Sequence, residues 1–202
     1  MNDHTTPVHA RLLRGGAVAL LLVGALGVVA SLLLSSSPLV GGQPSPFDVD
    51  DSAHGVLPDG TTAFDEELPG ISRLDPALRA AVQEATEDAR GDDVSIVVTS
   101  GWRSAQIQTR LLDDAVAEYG SRAEAARWVA GPDTSAHVSG NAVDIGGMAA
   151  YLWLADHDRG AAYGLCQTYA NEPWHIEYLP EAIDDGCPAQ YLDPTHDPRL
   201  RP

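Results

Sequence analysis

Two short polar clusters about thirty residues apart have to meet in whatever this chain folds into. The first holds His137 and Asp144, within Ser135-Ala136-His137-Val138-Ser139-Gly140-Asn141-Ala142-Val143-Asp144. The second is Glu172-Pro173-Trp174-His175. Two histidines and an aspartate make a ligand set suited to a catalytic zinc ion (Zn2+), and a glutamate outside the set can serve as a base. Any one of these residues alone reads as a core histidine or a turn-capping aspartate. Together they require a fold that brings both segments to one place.

The local geometry suggests how. His137 and Asp144 are seven apart and would point to opposite faces of one straight strand. A two-residue turn at Gly140-Asn141, with glycine first as type II′ favours, pairs Ser139 with Ala142, Val138 with Val143 and His137 with Asp144. The expectation is a hairpin in which the two ligands are cross-strand neighbours with Cβ atoms roughly 5 Å apart. Ser135, two residues before His137, would then share its face and offer a hydroxyl to a substrate. Pro173 biases Glu172 towards extended backbone, and Trp174 to Leu179 alternates as a strand does. His175 supplies the third ligand, Glu172 is the candidate base, and Glu177 lies on the face of His175, either behind that ligand or facing solvent. No His-Glu-x-x-His helix is present. A Ser-His-Asp triad from Ser135, His137 and Asp144 would leave Glu172 and His175 unexplained.

Ser-x-His-x-x-Gly-x-Ala-x-Asp followed by Glu-x-Trp-His resembles the zinc D-alanyl-D-alanine carboxypeptidases and dipeptidases of the VanY and VanX type. Ser100-Gly101-Trp102-Arg103-Ser104 with Gln108 resembles a third motif of that family, with Trp102 where tyrosine is usual. The resemblance covers about Leu74 to Leu179. It implies an α+β fold of the hedgehog/DD-peptidase-like kind, a small antiparallel sheet with flanking helices. It also implies a zinc peptidase that removes the C-terminal D-Ala from peptidoglycan stem peptides. A zinc endopeptidase or dipeptidase on cell-wall peptides, or a catalytically silent wall-binding module of the same fold, remains open at this point.

Arg103 stands where a strand hands over to a helix. Free N–H groups at a helix start favour an anion, and a guanidinium beside them can grip a peptide's terminal carboxylate. Gln108, one turn further on, divides evenly between substrate contact and structure.

The remaining sequence sets the context. A formal charge of −17, with no lysine among the twelve basic residues, argues against nucleic acid as a partner. After a polar start (1–14), residues 15–34 form an uncharged apolar run, long enough to span a bilayer as a helix. Arg11 and Arg14 before the run, and aspartates after it, orient the rest of the chain outward. The rival is a cleaved signal peptide, whose apolar core is usually about 7–15 residues. Either places the domain outside the cytoplasm, membrane-anchored or secreted. Residues 35–60, rich in Ser, Pro, Gly and Asp, read as a flexible linker with a solvated His54. The folded domain is expected over 61–193, with a loose tail at 194–202. In an exported chain Cys166 and Cys187 read as a disulfide, worth about 3 kcal/mol for a loop of this size.

Within the domain, Asp75-Pro76 predicts a helix start, with Leu78, Val82, Ala85 and Ala89 on its buried face. Val94 to Thr99 predicts a buried strand. Ser104 predicts the cap of a helix with Ile107, Leu111, Ala115 and Tyr119 as its apolar stripe, closed by Gly120. Ser121 with Glu124 predicts a further helix reaching Gly131-Pro132, and Met148 to Asp158 another, packed through Tyr151, Leu152 and Ala155.

Overall fold

The computed structural model describes residues 51–200. The apolar run at 15–34, the start of the linker and the last two residues lie outside them. Among the described residues no helix is long and apolar enough to cross a membrane.

Four strands form one antiparallel sheet in the order β1-β2-β4-β3: β1 Val97–Ser100, β2 Ala142–Gly146, β3 Leu165–Gln167 and β4 His175–Tyr178. Helices flank it: α1 Pro69–Ser72, α2 Pro76–Gly91, α3 Ala105–Tyr119, α4 Arg122–Ala125, α5 Ala136–Ser139, α6 Met148–Ala155 and α7 Ala182–Asp185. The expected α+β architecture with a small antiparallel sheet is therefore present.

The α2 helix begins as its sequence dictates. Asp75 Oδ1 accepts hydrogen bonds from the free N–H groups of Ala77 and Leu78, and Pro76 has no N–H to leave unpaired. Leu78, Val82, Ala85 and Ala89 are all buried. They pack with Val98, Val143, Ile145 and Ile176 from one face of the sheet. Because side chains alternate along a strand, Asp144, His175 and Glu177 point to the opposite face. The apolar face anchors the sheet, and Leu78→Ala would cost about 2–5 kcal/mol. The polar face carries the site.

Several expectations need correction. The hairpin at Gly140-Asn141 does not form. Ser135 is instead the N-cap of the one-turn helix α5, and Gly140 is its left-handed C-cap at φ 81°. His137 sits on that turn, and the strand starts only at Ala142. The α3 stripe is Ile107, Gln108, Leu112 and Ala115, while Leu111 and Tyr119 are exposed. The helix after Ser121 is a single turn, although Ser121 caps it through Glu124 N–H as anticipated. Met148 to Ala155 buries Ala150, Trp153 and Leu154 and leaves Leu152 outside, and a 3-10 segment follows from Asp156.

Both ends of the described chain are more tightly held than their composition suggested. His54, read as solvated linker, has Nδ1 2.9 Å from Ser104 Oγ and accepts the Ser104 N–H at its carbonyl. The tail expected to be loose buries Pro194 and Asp197, and Asp193 just before it is buried too. Cys166 and Cys187 are joined as expected, tying β3 to the loop after α7.

Candidate metal centre

Three elements deliver three candidate ligand atoms. His137 comes from α5, Asp144 from the middle of β2 and His175 from the first residue of β4. Asp144 and His175 are direct partners in the β2–β4 register, so the strand pairing itself sets their separation. His137 Nε2 lies 3.4 Å from Asp144 Oδ1 and 3.2 Å from His175 Nδ1, and His175 Nδ1 lies 3.3 Å from Asp144 Oδ1. Zinc bonds of about 2.0–2.1 Å in a tetrahedron imply ligand atoms about 3.3 Å apart. The donor set and its spacing fit zinc. Glu172 is not among the converging ligand atoms.

Outer hydrogen bonds determine which nitrogen each ring presents. His137 Nδ1 is 2.8 Å from the carbonyl of Gly101, so its N–H donates there and Nε2 is left for the metal. Gly101 also packs tightly against Gly70, where a Cβ would fall 2.1 Å from the Gly70 carbonyl oxygen. This bond couples the Ser-Gly-Trp-Arg-Ser segment to the ligands. His175 is turned the other way, with Nδ1 to the cluster and Nε2 3.4 Å from Glu177 Oε1. Tyr169 stacks on the His175 ring at 5.2 Å.

Electrostatics follow from burial and neighbours. Burial pushes the His137 pKa down, favouring the neutral ring a metal needs. Burial opposes the charge of Asp144, but His137 and His175 outweigh it and hold the carboxyl well below the usual carboxylate range. Burial also opposes protonation of His175, yet its hydrogen bonds to Asp144 and Glu177 prevail and lift it to about 9. Burial raises Glu172 to about 7, only partly countered by the charge of His175.

The other expected residues gather around the same cleft, lined by Arg103, Gln108, Ser135, Glu172, Trp128 and Trp174 among others. Arg103 is largely buried, with Nη2 3.3 Å from Asp144 Oδ2 and Nε without a partner. It stands between the end of β1 and the start of α3, as expected, and also reaches the candidate ligand Asp144. Gln108 donates through Nε2 to the Ala130 carbonyl, while its Oε1 is buried and unpartnered. Ser135 is buried and makes no capping hydrogen bond through its hydroxyl. Trp174 is half-exposed on the wall. The sequence reading missed Tyr169, the Gly101 carbonyl and Arg199. A backbone acceptor and contacts made only through tertiary packing leave no local pattern to detect.

The α+β fold and the His-Asp-His cluster beside a carboxylate define a domain of the metallopeptidase kind. Residues 71–161 match the VanY family model, described as D-alanyl-D-alanine carboxypeptidase. That match includes Arg103, His137 and Asp144 and ends before Glu172 and His175. A D-alanyl-D-alanine carboxypeptidase of Enterococcus faecalis is 33% identical over 139 residues, 56% of this chain and 51% of the relative. The chain thus spans about half the length of that curated relative. A solved mutant of the vancomycin resistance D,D-pentapeptidase VanY, from the VanB-type resistance cassette and in complex with Zn(II), is 30% identical. The similarity covers 56% of this chain and 80% of that one, with a TM-score of 0.50. VanYB in complex with D-alanine-D-alanine matches at 30% identity and TM-score 0.50, over 56% of this chain and 79% of that one. The chain belongs to the VanY family.

Proposed function

We propose that this chain is a zinc-dependent D-alanyl-D-alanine carboxypeptidase that removes the C-terminal D-Ala from peptidoglycan stem peptides. The observation that carries the reading is the convergence of His137 Nε2, Asp144 Oδ1 and His175 Nδ1 at zinc-ligand spacing, with Glu172 beside them in the same cleft. A solved relative of 30% identity that holds D-alanine-D-alanine supports the substrate class.

His137, Asp144 and His175 would hold the ion. When bound, zinc supplies Lewis-acid polarisation of the scissile carbonyl and activation of the attacking water. Glu172 takes the water's proton and returns it to the departing amine. Burial favours proton uptake by Glu172, the direction a group that accepts and returns a proton requires. Arg103 donates to substrate oxygens in the cleft and grips the terminal carboxylate, which makes the reaction an exopeptidase one. Ser135 offers a hydroxyl to the peptide backbone, and the unpartnered Oε1 of Gln108 offers an acceptor for a substrate N–H. An extracytoplasmic location, with the run at 15–34 as membrane anchor or cleaved signal, places the enzyme beside its substrate.

The test is D-alanine release from a stem pentapeptide ending in D-Ala-D-Ala, with zinc and again with a chelator. Chelator-sensitive release of one D-alanine per peptide is expected. Release of the dipeptide, or cleavage at an internal bond, would replace this reading with the dipeptidase or endopeptidase one. An intact peptide with zinc bound would point to a silent binding module.

A further inference from the structure

The C-terminal residues 193–200 supply no ligand, yet they reach His175 from two directions. Along the ring edge, His175 Nε2 faces Glu177, which is 2% exposed. Arg199 forks onto Glu177, with Nη1 2.8 Å from Oε2 and Nη2 3.3 Å from Oε1. Arg199 is itself seated by Asp197, whose two carboxylate oxygens each lie 3.0 Å from its Nε. Across the ring face, Tyr169 stacks on His175 while its hydroxyl donates to the same Asp197 at 2.9 Å. Asp197 is fully buried. The segment's other end is pinned separately, where Asp193 accepts from Arg127 Nε at 3.0 Å.

Two buried carboxylates would be costly without a cation between them. Arg199 supplies it, and its planar fork fixes the direction of the Glu177 carboxylate as well as its charge. We propose that Arg199 and Asp197 are positioning residues for the metal centre. They hold Glu177 as acceptor for the His175 Nε2–H and Tyr169 against the ring, keeping Nδ1 aimed at the point shared with His137 and Asp144. The inference rests on the zinc reading above. Partners that orient a metal-binding histidine typically account for about 10–100-fold in affinity.

The experiment is zinc affinity of the whole protein, measured by competition with a chromophoric chelator, alongside the visible spectrum of the cobalt-loaded form. Arg199→Ala is expected to weaken zinc by about 10–100-fold and to shift the cobalt spectrum, with Arg199→Lys recovering part of the affinity because it restores charge without the fork. Arg127→Ala, which loosens the same segment at its other tether, is expected to leave both readouts near wild type. Should Arg199→Ala not fold, Glu177→Gln keeps the shape, removes the charge and is expected to weaken zinc by about tenfold. Wild-type affinity in Arg199→Ala, or in Glu177→Gln should Arg199→Ala not fold, would overturn the positioning role while leaving the zinc site standing. Equal weakening by Arg127→Ala would also overturn it, in favour of general packing. Failure of the wild-type protein to bind zinc would overturn the zinc reading itself.

Discussion

Asp144 and His175 are direct partners across β2 and β4, and their Oδ1 and Nδ1 atoms lie 3.3 Å apart. Backbone pairing thus fixes two of the three proposed ligands before any metal arrives. Preorganisation of this kind has consequences for pH, for the substrate's end group and for the turn that brings in the third ligand.

Zinc binding through Nδ1 requires His175 to give up a proton that its surroundings hold to about pH 9. A raised pKa favours the protonated ring, which competes with the metal, so falling pH weakens binding. Affinity should rise about tenfold per pH unit between roughly 7 and 9 and then level off, reflecting one displaced proton. Chelator competition at several pH values measures this. A flat profile over that range would mean that Asp144 and Glu177 do not hold a proton on His175 there.

Arg103→Ala should reduce cleavage of peptides with a free terminal carboxylate by about 100-fold or more, the scale of a buried, charge-assisted contact worth about 3 kcal/mol. Amidated peptides, already poor substrates, should lose little further. Equal losses on both would assign Arg103 to the scissile carbonyl instead of the chain end.

Gly140→Ala should destabilise the protein by about 2 kcal/mol, combining the left-handed backbone with a blocked Cβ position. A Cβ there would stand 2.6 Å from the Arg73 carbonyl oxygen. Urea unfolding tests it. An unchanged midpoint would contradict the left-handed, closely packed helix end described above.

That same glycine shows where the sequence was readable and where it was not. Its presence signalled a positive φ, which both a type II′ turn and a helix C-cap require, so the local pattern did not choose between them. The choice is made by a distant segment: Asp75 N–H donates to the Gly140 carbonyl at 2.8 Å. The candidate ligand set could be drawn from the sequence because metal chemistry restricts residue type, whereas the strand partner of Asp144 lies 31 positions away on β4. The α2 helix was legible down to its cap because Asp75-Pro76 and the apolar spacing agree. On α3 the apolar residues outnumber the positions on one face, and packing selected Leu112 over Leu111. The C-terminal segment looked loose because prolines and acids usually are. Arg199 and Asp193 find partners at Glu177 and Arg127, pairings invisible in local sequence.

The most direct test of the central claim compares D-alanine release by the wild-type protein and by Glu172→Ala at matched zinc occupancy. Glu172 stands outside the ligand set, so the variant should keep its zinc and slow by at least about 100-fold, the lower end of general-base contributions. Turnover near the wild-type rate with zinc in place would contradict the account, because the proposed proton path would then not be the one the reaction uses.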